Sequence, residues 1–180
     1  MADAINIIRE SLITYDVYDE TNGSSMLAGS ASVDLPELEY MTTEVKGAGI
    51  LGSYDAPILA SLNNLTATFH WRTIHSDWAN LVEPYAHSFA CRGALQHYDS
   101  GTGVMKVAPV CVRFRGRPTK GTLGKFEPGE QNEAESEFSL DRLRIEYNGA
   151  EIVEIDKLNF IFRINGVDYA SAIRDALSRS

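Results

Sequence analysis

The sequence predicts a mainly β protein: a two-sheet antiparallel β-sandwich or barrel with one or two short flanking α-helices. Three observations predict it. Apolar residues recur with a period of two through most segments, the repeat of a half-buried strand. Asn-Gly and Gly-rich turns separate those segments, as antiparallel hairpins require. There is no β-α-β alternation and no internal repeat, so nothing in the pattern builds a parallel sheet. At 180 residues, 44% hydrophobic and 23% charged, the chain reads as one domain, 1–180, long enough to bury its own core.

Taken in order, Leu12 to Asp19 alternates, with Ile13, Tyr15 and Val17 on one face. Thr21-Asn22-Gly23-Ser24 reads as a turn, and Leu27 to Leu35 as a weaker strand of small residues. From 36 to 57 the alternation lapses into a long Gly-bearing loop. Such loops inside a compact domain are usually functional or disordered. This one carries Met41, Val45, Ile50, Leu51 and Tyr54, apolar surface for a partner subunit or for its own domain to cover. Leu65, Ala67, Phe69, Trp71 and Thr73 then share one face of the cleanest strand, with Thr66, Thr68, His70 and Arg72 opposite.

Ser76 or Asp77 is expected to cap a helix that aligns Trp78, Leu81, Val82 and Tyr85, and Pro84 to end it early. Phe89 to Tyr98 and Val104 to Arg115 pair across Ser100-Gly101-Thr102-Gly103. A second loop, 116–132, passes from basic to acidic. Phe138 to Tyr147 runs into Asn148-Gly149, a dipeptide suited to a type I′ turn because both central residues need positive φ. Leu158, Phe160, Phe162 and Ile164 alternate as the last strand, which Asn165-Gly166 closes. Val167 to Arg179 reads as a terminal helix with Tyr169 or Ala170, Ile173 and Leu177 on one stripe.

Composition limits the function classes. Sixteen Lys plus Arg against twenty-five Asp plus Glu leave a net charge of −9, which does not fit a surface that grips phosphates throughout. The N-terminal residues are acidic and lack an apolar run of signal-peptide length, and no stretch approaches the ~20 apolar residues of a membrane span. Synthesis in a cytoplasm and no membrane partner are the expectation. Cys91 and Cys111 match no zinc spacing and read as reduced core residues, a disulfide being the alternative.

The chemistry-bearing motifs are sparse. Gly47-Ala48-Gly49-Ile50-Leu51-Gly52 fits G-x-G-x-x-G, yet Ser53-Tyr54-Asp55-Ala56-Pro57 follows where the phosphate-binding helix should open. Loop flexibility explains these glycines better. His70, His75, His87 and His97 lack metal-ligand spacing, no serine sits in a nucleophile elbow, and neither thiol has a recognisable partner. No catalytic residue, cofactor or metal is expected. Glu133, Glu135 and Glu137 have strand spacing, and Glu146 lies further along the same segment. They are either a solvated edge that discourages sheet-to-sheet aggregation or an acidic wall facing something that must not stick.

Three stretches carry a resemblance. RLRIEYNGAEIVEIDKLNFIFRINGVDY, VDLPELEYMTTEVKGAGILGSYDAP and VRFRGRPTKGTLGKFEPGEQNEAESEF together resemble, in order, the major tail tube protein family of contractile-tailed bacteriophages and related phage-tail-like particles. The first resembles the family's closing hairpin, the second its L-P-x-L stretch with a Gly-rich loop, the third its R-G-R strand end and acidic loop. The match is looser in the first 30 residues and from Phe89 to Val104.

The resemblance implies a two-sheet subunit forming homo-hexameric rings that stack into a hollow tube within the tail. DNA, or only ions in headless relatives, would pass through the lumen without specific binding. The implied partners are the chain itself, the sheath, the tape measure, the baseplate and the tail terminator. On that reading Lys46, Gly47, Ala48, Gly49, Ile50, Leu51, Gly52, Ser53, Tyr54 and Asp55 stack rings, and Glu133, Glu135, Glu137 and Glu146 face the lumen. The alternative is a stand-alone β-sandwich module recognising a protein or saccharide. It would need an exposed cleft, and Trp71 and Trp78 fall on apolar faces.

Overall fold

The computed structural model describes residues 6–21, 23, 25–27 and 30–178. Residues 1–5, Asn22 and Ser24 of the expected turn, Ala28 and Gly29 of the weak strand, and Arg179 of the expected helix lie outside the described residues. Among the described residues, twelve strands and two helices follow in order: β1 (Ile7–Asp19), β2 (Ser25–Met26), β3 (Ser30–Asp34), β4 (Tyr40–Lys46), β5 (Ser53–Leu62), β6 (Leu65–Trp71), α1 (Ser76–Leu81), β7 (His87–Asp99), β8 (Val104–Thr122), β9 (Ala134–Tyr147), β10 (Ala150–Asp156), β11 (Ile161–Ile164), β12 (Val167–Asp168) and α2 (Ser171–Ala176). The mainly β, antiparallel expectation with short helices holds.

The main sheet runs β12-β11-β10-β9-β8-β7-β1-β2, with each of these strand pairs antiparallel. Strand β9 divides it. Its first half, Ala134 to Leu140, pairs with β6, which pairs with β3; its second half, Arg142 to Tyr147, pairs with β10. The long β8 accompanies both halves. One curled sheet thereby supplies both layers of a sandwich.

Between the layers lies an aromatic core. The Phe69 ring centroid is 4.7 Å from Phe89, 5.5 Å from Phe138, 6.0 Å from Phe114 and 6.1 Å from Trp71. Trp71 is buried and donates its Nε1–H to Ser136 Oγ at 3.1 Å, so its polar end is satisfied inside an apolar layer. Around them pack Leu65, Leu81, Leu140, Leu143 and Ile155.

Several expectations need correction. The 36–57 loop is instead a hairpin, β4 paired with β5. The 116–132 loop is shorter, because β8 stays hydrogen-bonded to β9 through Thr122; Pro118 is accommodated beside a register shift between Pro118 and Lys120, where a missing N–H is tolerated. Leu158 and Phe160 belong to a turn, Phe160 at φ +54, so the last strand starts at Ile161. The terminal helix is only Ser171–Ala176, preceded by the β11–β12 hairpin. Helix α1 is capped by His75, whose Nδ1 accepts from Asp77 N–H at 3.1 Å, and not by Ser76 or Asp77. Cys111 lies opposite Arg92, on the face away from buried Cys91; both thiols are free.

Candidate functional site

Two features stand apart from the core: an arm and a charged sheet face. The arm is β4–β5, a two-stranded sheet whose strands, among the described residues, pair only with each other. Four residues, Ile58 to Ser61, face the single residue Met41, and Ala60 sits at φ +52. This large bulge bends the hairpin where it leaves the body. Its base is held by Asn63 N–H to Glu39 O at 2.9 Å and by Tyr40 packed 6.0 Å from Phe162.

Lys46 and Ser53 form the last pair of the arm, and Gly47 to Gly52 make its tip. Leu51 is fully exposed, and Ile50 and Tyr54 are exposed beside it. Thus the residues from Lys46 to Asp55 occupy the far end of a projecting hairpin. Gly52 leads into a strand and not a helix, so the dinucleotide-binding geometry is absent.

The charged face is the outer side of β9 and its neighbours. Burial alternates from Ala134 to Leu140, leaving Glu135 and Glu137 outward; Glu133 is exposed just ahead, at φ +56. Strict alternation would put Glu146 on the opposite side. The register skips Asp141 between Leu140 and Arg142, and this bulge brings Arg142, Arg144 and Glu146 round to the same outer face while Leu143 returns to the core.

Glu135 lies 3.4 Å from His70 Nδ1, whose Nε2 is 2.9 Å from Asp34. Lys120 stands opposite Glu137 and Arg117 opposite Ser139, so the face carries both signs. Glu146 belongs to a ladder of ion pairs that sequence reading missed. The ladder runs from Glu20 to Arg92 (2.9 Å), from Arg113 to Glu146 (2.7 Å), from Arg144 to Glu146 and Glu151 (3.1 and 3.0 Å), and from Arg163 to Glu154 (2.6 Å), joined by Arg142 to Glu154 (3.1 Å). The alternating arginines of VRFRGR and RLRIEY were the available signal, but their partners depend on cross-strand register.

Among the described residues, no group of three His, Cys, Asp or Glu can hold a metal, and no helix is long and apolar enough to cross a membrane. Trp71 is buried, and Trp78 donates to Glu135 O at 3.3 Å; neither forms an open aromatic cleft.

Comparisons with known proteins bear on this arrangement. A sheath/tube terminator from an extracellular contractile injection system, PVC, in its extended state is similar with 15% identity, covering 79% of this chain and 99% of that one, at a TM-score of 0.49. The PVC sheath–tube complex in its extended state is similar at 15% identity, 73% and 87% coverage, and a TM-score of 0.47. The tail tube protein of Escherichia phage P2 is 31% identical over 153 residues, covering 82% of this chain and 86% of that protein. The family profile described as phage tail tube protein FII matches residues 9–177. With that match spanning nearly the whole sequence, the chain belongs to the phage tail tube protein FII family.

Proposed function

We propose that the chain forms six-membered rings that stack into the hollow inner tube of a contractile tail, with the arm tip joining successive rings. Family membership already makes it a structural tail component of a phage or phage-tail-like particle, and not an enzyme. Beyond that, the reading gives the tube a surrounding sheath, a tape measure inside, and a baseplate and terminator at its ends. It also has the chain made in the host cytoplasm and DNA, or only ions in a headless particle, passing the lumen without specific binding. Glu133, Glu135, Glu137 and Glu146 are the proposed lumen acids. Glu146 is the weakest contributor to a repulsive field, because Arg113 and Arg144 offset its charge.

The observation that carries the reading is the arm. A two-stranded hairpin is marginal in water without a surface to pack on, yet this one ends in Ile50, fully exposed Leu51 and Tyr54. Burying a leucine contributes about 1.5–3 kcal/mol, and a ring repeats that gain at every subunit.

Electron microscopy of the purified protein over a concentration series, alone and mixed with a contractile baseplate, tests this. Rings or hollow tubes of uniform width are expected, and L51D should form rings that do not stack while melting like the parent. A chain that stays monomeric on a baseplate overturns the tube. Normal stacking by L51D removes the tip from it.

A further inference from the structure

The loop between β8 and β9 is built as a rigid presenter of one aromatic side chain. Its neck is closed by Lys125 N–H to Asn132 O (2.9 Å), Asn132 Nδ2–H to Lys125 O (2.8 Å) and Asn132 N–H to Arg72 O (2.8 Å). Gly124, at φ +67, lies so close to Asn132 O that no Cβ would fit. At the tip, Glu127-Pro128-Gly129-Glu130 forms a turn closed by Glu130 N–H to Glu127 O at 3.1 Å, with Gly129 at φ +89. Proline second and glycine third are the residues a type II turn demands. Between this braced neck and tip, Phe126 is 91% exposed. Isolated exposed apolar residues are ordinary, but holding one on a pre-ordered loop lowers the entropy lost on binding.

Elsewhere on the molecule lies a cleft of matching chemistry. Of about 250 Å³, it is lined by Ser88 and the guanidinium-bearing Arg113, Arg115, Arg142 and Arg144, over Phe89 and Phe114, whose rings are buried in the core beneath it; Glu20 is the one carboxylate among the described lining residues. A cavity of about 150 Å³ already holds a benzene ring, and guanidinium groups favour aromatic faces. Arg113, Arg142 and Arg144 are tied into the ion-pair ladder. Arg115 is exposed and has no ion pair among the described residues. Glu130 is likewise exposed, and Glu127 pairs with Lys125, at 3.1 Å. In a chain of net charge −9, an arginine-rimmed cleft and an acidic loop that holds Phe126 exposed beside its tip are complementary in charge and in size.

We infer that Phe126 of one copy seats in the Arg113/Arg115/Arg142/Arg144 cleft of a second copy, with Glu127 and Glu130 meeting Arg115. Loop and cleft are different patches, so the contact is head-to-tail and propagates around a ring or along a filament. The inference rests on the tube reading but uses neither the arm nor the lumen acids.

The test is sedimentation of baseplate-nucleated assemblies formed by the full chain and its variants. F126S, R115E and E127K/E130K should each keep the parent's far-ultraviolet spectrum and melting temperature, since all these side chains are exposed. Each should lower the assembled fraction by about tenfold or more, the scale of an interface anchor, and R115E/E127K/E130K should recover most of it. In mixed assemblies of S88C with F126C, oxidation should join neighbouring copies. Assembly by F126S at the parent's level, or absence of the S88C–F126C cross-link in formed tubes, overturns the contact and leaves the tube standing. If the parent itself never assembles, the tube reading falls and this contact with it.

Discussion

Phe69 touches four other aromatic rings at the centre of the sandwich. F69A should therefore cost about 3–5 kcal/mol, read as a lower urea midpoint at unchanged slope; a cost below about 1 kcal/mol would move the core elsewhere. Cys91 offers a second check. Burial first, and then the neighbouring Cys111, push its thiol up to about 12. Because only the thiolate reacts, Cys91 should resist alkylation at pH 8 in the native protein and react once urea unfolds it. At this scale the core was legible, since Leu65, Ala67, Phe69 and Trp71 alternate in a strand with one buried face. The cap of α1 was not. Histidine is not among the favoured capping residues; here His75 Nδ1 accepts from Asp77 N–H, with its ring packed edge-on 5.2 Å from Trp71.

Among the elements, what could be read depended on burial. Strand β4 has no buried residue, and β5 meets the core only at its end, through Ala60 and Leu62, so the arm shows no inside-outside alternation and reads as a loop. The extension of β8 past Arg115 was hidden by its glycines and proline; its strand character comes from pairing with β9. Hairpin turns were more transparent, because Asn148 at φ +49 and Gly149 at φ +78 adopt the conformation their residue types favour. The β7–β8 turn has its own pH signature. Lys106 Nζ, 2.7 Å from the Asp99 carboxylate, does most to hold it at about 2, with Thr102 N–H assisting against burial. The unfolded carboxylate titrates near ~4, so this pair stabilises the turn above about pH 4 and is lost as pH falls towards 2. K106M should raise the Asp99 titration midpoint towards ~4 in a carboxyl-carbon NMR experiment and move acid unfolding to higher pH. A midpoint that stays near 2 would assign the shift to the turn's backbone amides.

Across the whole molecule, net charge was plain in the composition, but its distribution needed the register. The ladder from Glu20 to Arg163 lets the outer face carry many charges at little net field, and each exposed pair contributes only about 0.2–1 kcal/mol. Acids that no arginine pairs among the described residues, Glu133, Glu135 and Glu137, cluster at the other end, where β9 begins. Changing Glu133, Glu135 and Glu137 to Lys moves the net charge from −9 to −3, and six-fold repetition would turn an acidic band into a basic one. If that band lines the lumen, phosphates passing it would release counterions and bind, with an affinity that falls steeply with salt. Since Glu133 is exposed and Glu135 and Glu137 point away from the core, the fold should survive and rings should form. DNA delivery by particles carrying the triple variant should fall, and raised salt should restore part of it. Undiminished delivery would take these residues out of the lumen. Loss of rings, with monomer melting unchanged, would place them at a subunit contact, where Lys120 and Arg117 on the neighbouring strand already offer cations.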